Sequence, residues 1–174
     1  RLDTAYKTGK EVLEMLKETG AVKKASSAGQ LRRWLEIIEK IEFVAIPNDI
    51  ELLKAELEKK YEITENNGTI EFLYDKKPIT IHIADEDNFG VISHNLSSSE
   101  SYLEAFNVIV NNSFSMGDNY VYDGEKKLTI SSEQLLYKQM TMQYVEPENR
   151  EDPQAAQYAT ISGLPNLIHD KDMK

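Results

Sequence analysis

The chain has 174 residues, 40% of them apolar, and a formal net charge of -10. That length fits one domain, or one domain with a small lobe, and the negative charge argues against a strong nonspecific grip on a polyphosphate. There is no cysteine, which excludes disulfides, thiolate catalysis and Cys-based zinc sites and fits a reducing cytoplasm.

Taken in order, residues 2–19 read as an amphipathic helix. Ala5, Val12, Leu13 and Leu16 recur at helical spacing, with Asp3 as its cap and Gly20 as its stop. Val22 to Ser26 reads as a short strand leading into Gly29. A tight turn at Gly29, a basic helical stretch and a strand over Ile41 to Ile46 follow. Pro47-Asn48 breaks that strand. Asn48 with Glu51 resembles a capping box for a helix carrying Ile50, Leu53 and Leu57. Tyr61 to Glu65 and Thr69 to Tyr74 form a predicted hairpin around Asn66-Asn67-Gly68, and Ile79 to Ala84 alternates as a further strand after a turn at residues 75–78. The order predicts an α+β fold with a mixed sheet and helices packed on it. Beyond Phe89-Gly90, Ser99 is a candidate cap for a helix with Leu103, Phe106 and Val110 as its buried stripe. A hairpin over residues 119–130 turns at Asp123-Gly124, and Ser131 or Ser132 caps a helix over residues 133–140. No apolar run reaches transmembrane length and no signal peptide is visible at the start. The chain opens without Met, as a fragment or a processed chain would.

The stretch Ala28 to Ala45 organises the rest. Gly29, Arg32, Arg33 and Glu36, followed by an apolar strand of Ile41, Phe43 and Val44, resemble the nucleotide-binding signature of the DNA polymerase X family, the polymerase beta-like nucleotidyltransferases of DNA repair. The family pattern runs Gly-Ser-x-Arg-Arg, a spacer with Glu, then Gly-Asp-x-Asp and a strand. Here Gln30 stands in place of the Ser, Glu39 of the Gly, and Lys40 and Glu42 of the two Asp residues. The family's third metal-binding Asp lies on a neighbouring strand in an apolar-Asp-apolar-Arg pattern. In Ile79-Thr80-Ile81-His82-Ile83 its place is taken by Thr80, and that of the Arg by His82. The three family carboxylate positions, Lys40, Glu42 and Thr80, sum to a formal charge of zero, against about -3 for three ionised carboxylates. Active members use Mg2+ to neutralise phosphates and activate the attacking oxygen. No such cofactor is expected here. Alternation places positions 40 and 42 on one face of the strand, where cation and anion can neutralise each other.

The resemblance implies a nucleotidyltransferase-type palm over residues 1–88 and a small α/β thumb lobe over residues 89–145. Phe89-Gly90-Val91-Ile92 keeps the start of the family's Phe-Gly-Ala-Ala. Asn95, Leu96, Ser97 and Ser98 occupy the nucleotide-facing Tyr-Phe-Thr-Gly element, without its aromatic rings. Tyr144, Pro147, Glu148, Arg150, Glu151 and Asp152 match a conclusion of the family pattern, and Pro147 and Pro153 suggest an extended segment. Residues 146–174 are expected to be an extended linker. Leu164-Pro165-Asn166-Leu167-Ile168 resembles the passage into a downstream phosphoesterase domain of the polymerase and histidinol phosphatase (PHP) type.

Gly29, Gln30 and Arg33 are candidates for phosphate binding at the glycine turn. The alternative for Arg33, which the lost Ser, Gly and metals favour, is an ion pair with Glu36 or Glu39. Lys23, Lys24, Arg32 and Arg33 are either a local basic patch or solvated surface charges. His82, His94 and His169 have no metal spacing. Trp34 reads as core or partial cover, and no spacing forces Glu39, Glu42 and Asp85 together. The expected function is a palm-thumb module that has lost catalysis and serves a structural, DNA-contacting or partner-positioning role. The alternative is an active nucleotidyltransferase with unusual metal ligands; a free-standing interaction domain is a third reading.

Overall fold

The computed structural model describes residues 2–162, and side chains over 4–160. The Asp3 cap, His169 and the 164–168 segment fall outside the residues so described. Helix α1 (Leu2–Glu18) leads through the Gly20 turn to β1 (Val22–Ala28), a 3-10 turn (Gly29–Arg33) and β2 (Ile41–Pro47). Helix α2 (Ile50–Glu58) precedes β3 (Thr64–Asn66), β4 (Thr69–Tyr74) and β5 (Lys77–Ile83). These strands make one mixed sheet in the order β1-β2-β5-β4-β3, in which only β2 and β5 run parallel.

The sheet is covered on one face along its length and on the other only at one end. Phe43, Ala45, Ile79, Ile81, Ile70 and Phe72 point to one side and close a core with Val12 and Leu16 of α1 and Leu53 and Leu57 of α2. On the opposite side Val44, Ile46 and Ala84 pack against Phe89 and Ile92 of α3 (Phe89–Leu96). A strand apolar on both faces is what burial on both faces demands, and residues 41–46 of β2 are all buried.

Some local features differ from expectation. Asp49, not Asn48, caps α2, accepting from the backbone N–H groups of Glu51 and Leu52 at 3.0 and 3.3 Å. Asn48 is instead held against the α1–β1 turn, its backbone N–H donating to Ala21 O at 2.7 Å. The expected strand over residues 61–65 shrinks to β3. Tyr61 stacks on Phe72 at 4.7 Å between centroids and Ile63 packs on the core, so their alternation comes from side-chain burial without ladder pairing.

The remainder builds a second core from α4 (Glu100–Val110), the three-stranded β6 (Ser115–Gly117), β7 (Tyr120–Asp123) and β8 (Lys126–Lys127), α5 (Glu133–Gln139) and α6 (Gln154–Ser162). Ser99 and Ser132 cap α4 and α5. The buried stripe of α4 is Tyr102, Phe106 and Val110; Leu103 is only half-buried. In place of the extended run expected from residue 146, residues 147–149 form a 3-10 turn and 154–162 a helix. Pro147 and Pro153 sit where a fixed φ favours starting a turn or helix, and Ala156 and Ala159 are buried in the second core.

Gly90 joins the two parts. A Cβ there would stand 2.4 Å from Ser132 O and 2.8 Å from Ile130 O, both backbone atoms. Gly90→Ala is therefore expected to lower the unfolding free energy by about 1–3 kcal/mol, the usual range for overpacking. A lower urea midpoint at unchanged m-value is the measurement that checks it.

Candidate functional site

The open end of the sheet's second face is the candidate site. Pairing aligns Ala28, Glu42, Thr80, Glu71 and Thr64 in one row across five strands, and Val44, His82 and Thr69 in the next. Strand spacing of about 4.8 Å brings the neighbours in each row into side-chain reach. Thr80 thus lies beside Glu42 on the parallel partner. A groove of about 730 Å3 runs over this face, with Glu39, Lys40, Glu42, Glu62 and Glu71 as its charged lining.

Glu42 is the buried member, its side chain only 11% exposed. His82 Nε2 donates to Glu42 Oε1 at 2.9 Å. Glu42 Oε2 fills the space where Gly29 has no side chain: a Cβ there would approach it to 2.4 Å, and Gly29 has φ +70. Lys40 is exposed at the rim. The partner of Glu42 is therefore His82 and not Lys40, because the paired register carries His82 inward over the same face. Among the described residues, no group of three or more His, Asp or Glu side chains is placed to hold a metal ion. Asp85 lies elsewhere, accepting from the Asp87 and Asn88 N–H groups and from the Tyr120 hydroxyl.

The glycine turn is internally occupied. Gly29 N–H donates to Ser97 Oγ at 3.1 Å. Gln30 Oε1 accepts from the backbone N–H groups of Glu39 and Lys40 at 2.7 and 3.0 Å, closing the loop before β2. Arg33 Nε donates to Glu151 at 2.7 Å, so its ion pair reaches across the fold and not to Glu36 or Glu39. Trp34 is 63% exposed, yet covers Tyr6 by stacking at 4.8 Å. Of the four residues 95–98, Asn95 donates to Asn119 at 3.0 Å and Leu96 packs on the α3 cluster. Ser97 and Ser98 are buried, the Ser98 hydroxyl donating to His94 O at 2.7 Å.

Behind this turn lies a buried charged network around Glu133, a residue with no site role expected from the sequence. Glu133 is 4% exposed and Arg150 fully buried. Arg32 Nη2 donates to Glu133 Oε1 at 2.7 Å, and Arg150 Nη1 to Glu133 Oε2 at 3.2 Å. Tyr144 also donates to Glu133 Oε1, at 3.1 Å, while Arg150 Nε donates to Val145 O at 2.9 Å. Burial alone would raise the Glu133 carboxyl; Arg150 and Arg32 outweigh it and hold it down at about 2. Glu133 reads in sequence as an ordinary acidic residue in a helix's first turn, which conceals its burial. Beside it, the Tyr137 hydroxyl lies 2.7 Å from both His94 Nε2 and the Tyr102 hydroxyl.

A comparison with protein families finds no family model that matches the chain, and no curated protein matches it. No described helix is long and apolar enough to cross a membrane.

Burial, then the nearby Arg150 charge, push the His94 imidazole from 6.5 down to about 3. Between those values the unfolded chain binds the extra proton, so stability rises with pH there. The unfolding free energy should fall by about 1 kcal/mol per pH unit on acidification from pH 6 to 5, before the Glu133 contribution begins to be lost below 4.5. Urea melts of the wild type and His94→Gln check this: the variant should lose most of that slope.

Proposed function

We propose that this chain is a palm-and-thumb module related to the polymerase beta-like nucleotidyltransferases, and that its reaction centre has been rebuilt as structural packing. The observation carrying this reading is the row Glu42–Thr80 on the parallel strands β2 and β5, with Glu42 held by His82. The resemblance maps the family's carboxylates to Lys40, Glu42 and Thr80. The first side chain is a cation, the second a carboxylate with a protein partner, and the third a neutral hydroxyl. Two hard cations need several oxygen donors held close together, and this set fits them poorly.

The remaining family features point the same way. The turn's first amide addresses Ser97, Gln30 braces a loop and Arg33 pairs with Glu151. None of these groups is left oriented for a triphosphate. The groove's charged lining has four glutamates against one lysine, which opposes a phosphate backbone. A structural or partner-positioning role is therefore favoured over DNA contact through this face. The palm would span residues 1–88 and the thumb 89–145, with a downstream phosphoesterase domain as the natural partner.

Primer-extension assays on the full-length protein test this directly. With Mg2+ or Mn2+ and all four deoxynucleotides, no extension above background is expected, for wild type and Glu42→Ala alike. Metal-dependent extension abolished by Glu42→Ala would overturn the reading.

A further inference from the structure

A second pocket lies away from the open sheet face, where the β1 edge meets α3 and the start of α5. It encloses about 340 Å3, and its polar lining includes Lys24, Ser26, Ser27, Arg32, Ser93 and Ser132. It shares no residue with the groove over Glu42.

The lining combines two cations, Lys24 and Arg32, with serine hydroxyls that can each donate a hydrogen bond. Ser93 is 3% exposed, and its buried hydroxyl has no hydrogen-bond partner. A buried polar group left unpaired costs about 1–3 kcal/mol, so this hydroxyl favours an occupant that can satisfy it. Ser132 Oγ accepts from the Leu135 N–H at 3.1 Å, which leaves its own O–H to donate. Lys24 Nζ donates to Ser131 O at 2.7 Å and rests 4.3 Å from the Phe89 ring centroid; an ammonium has two further N–H groups. Ser26, on the α3-facing side of β1, adds a further hydroxyl. The one carboxylate in the lining, Glu133, already has Arg32 and Tyr144 on one oxygen and Arg150 on the other. Two guanidiniums therefore outweigh its charge, and with Lys24 the formal charge of these groups is positive.

We propose that this pocket binds a small oxyanion of the phosphate class, as the free ion or as the terminal monoester of a small molecule. Its several acceptor oxygens match the convergent hydroxyls, and charge-assisted hydrogen bonds from Lys24 and Arg32 match its charge. The 340 Å3 volume admits a phosphate with a small organic group attached.

The test is a titration of the 15N-labelled chain with inorganic phosphate and, separately, with ribose 5-phosphate, against chloride at matched ionic strength. Saturable amide shifts are expected in residues 24–27, 89–93 and 131–134 with the phosphates and not with chloride. Lys24→Met and Ser93→Ala, each removing one donor, should each weaken binding by about tenfold while keeping the folded spectrum. Tighter binding of ribose 5-phosphate supports the site and names a monoester as its ligand; equal binding supports it and names the free ion. Shifts that do not saturate, that chloride reproduces, or that both variants leave unchanged would overturn it.

Discussion

A carboxylate buried at the centre of a sheet must find donors, and Glu42 finds His82. That requirement sets the arrangement around it. Register brings position 82 inward one row beyond Thr80, and Gly29 leaves the volume into which the second oxygen fits. A side chain on residue 29 would meet Glu42 and would also have to adopt a left-handed backbone. The turn, the strand and the neighbouring strand are thus mutually dependent at one point, and the polar chemistry there is turned inward.

The same logic recurs on a larger scale behind the turn. Glu133 lies between Arg32, which follows the glycine turn, and Arg150, which belongs to the last part of the chain. Burial of a lone carboxylate would be prohibitive; with two guanidiniums and a tyrosine hydroxyl it is satisfied, and removing one partner of such a pair typically costs about 3–5 kcal/mol. These contacts, with Arg33–Glu151 and Gly29–Ser97, tie the sheet to the second core through polar groups of fixed geometry. Ties of this kind hold the two parts in one relative position.

Much of this was legible in the sequence, and the reasons are local. The β4–β5 alternation and the Asn67-Gly68 turn carry their own signals, as do the amphipathic α1 and the Ser99 and Ser132 caps. Thr80 came beside position 42 through the family pattern, which sets its third carboxylate on a neighbouring strand, and the parallel pairing of β2 and β5 puts the two side by side. What escaped were side chains whose role depends on distant partners. Arg150 and Glu133 are 17 residues apart, and nothing local marks either as buried. Tyr102 was hidden for a related reason: Leu103 is the more apolar choice for the α4 stripe, while Tyr102 is buried because its hydroxyl meets that of Tyr137. The prolines at 147 and 153 suggested extension, yet each stands where a turn or helix begins.

The central claim is that the Glu42 carboxylate serves the fold and not a metal ion. Paramagnetic broadening by Mn2+ reads this directly, at the amides of Glu42, Thr80 and Glu71, on the intact chain. The account predicts weak, unsaturated broadening shared with exposed acidic residues across the surface. Saturable broadening centred on Glu42 and Thr80, removed by Glu42→Gln, would contradict it.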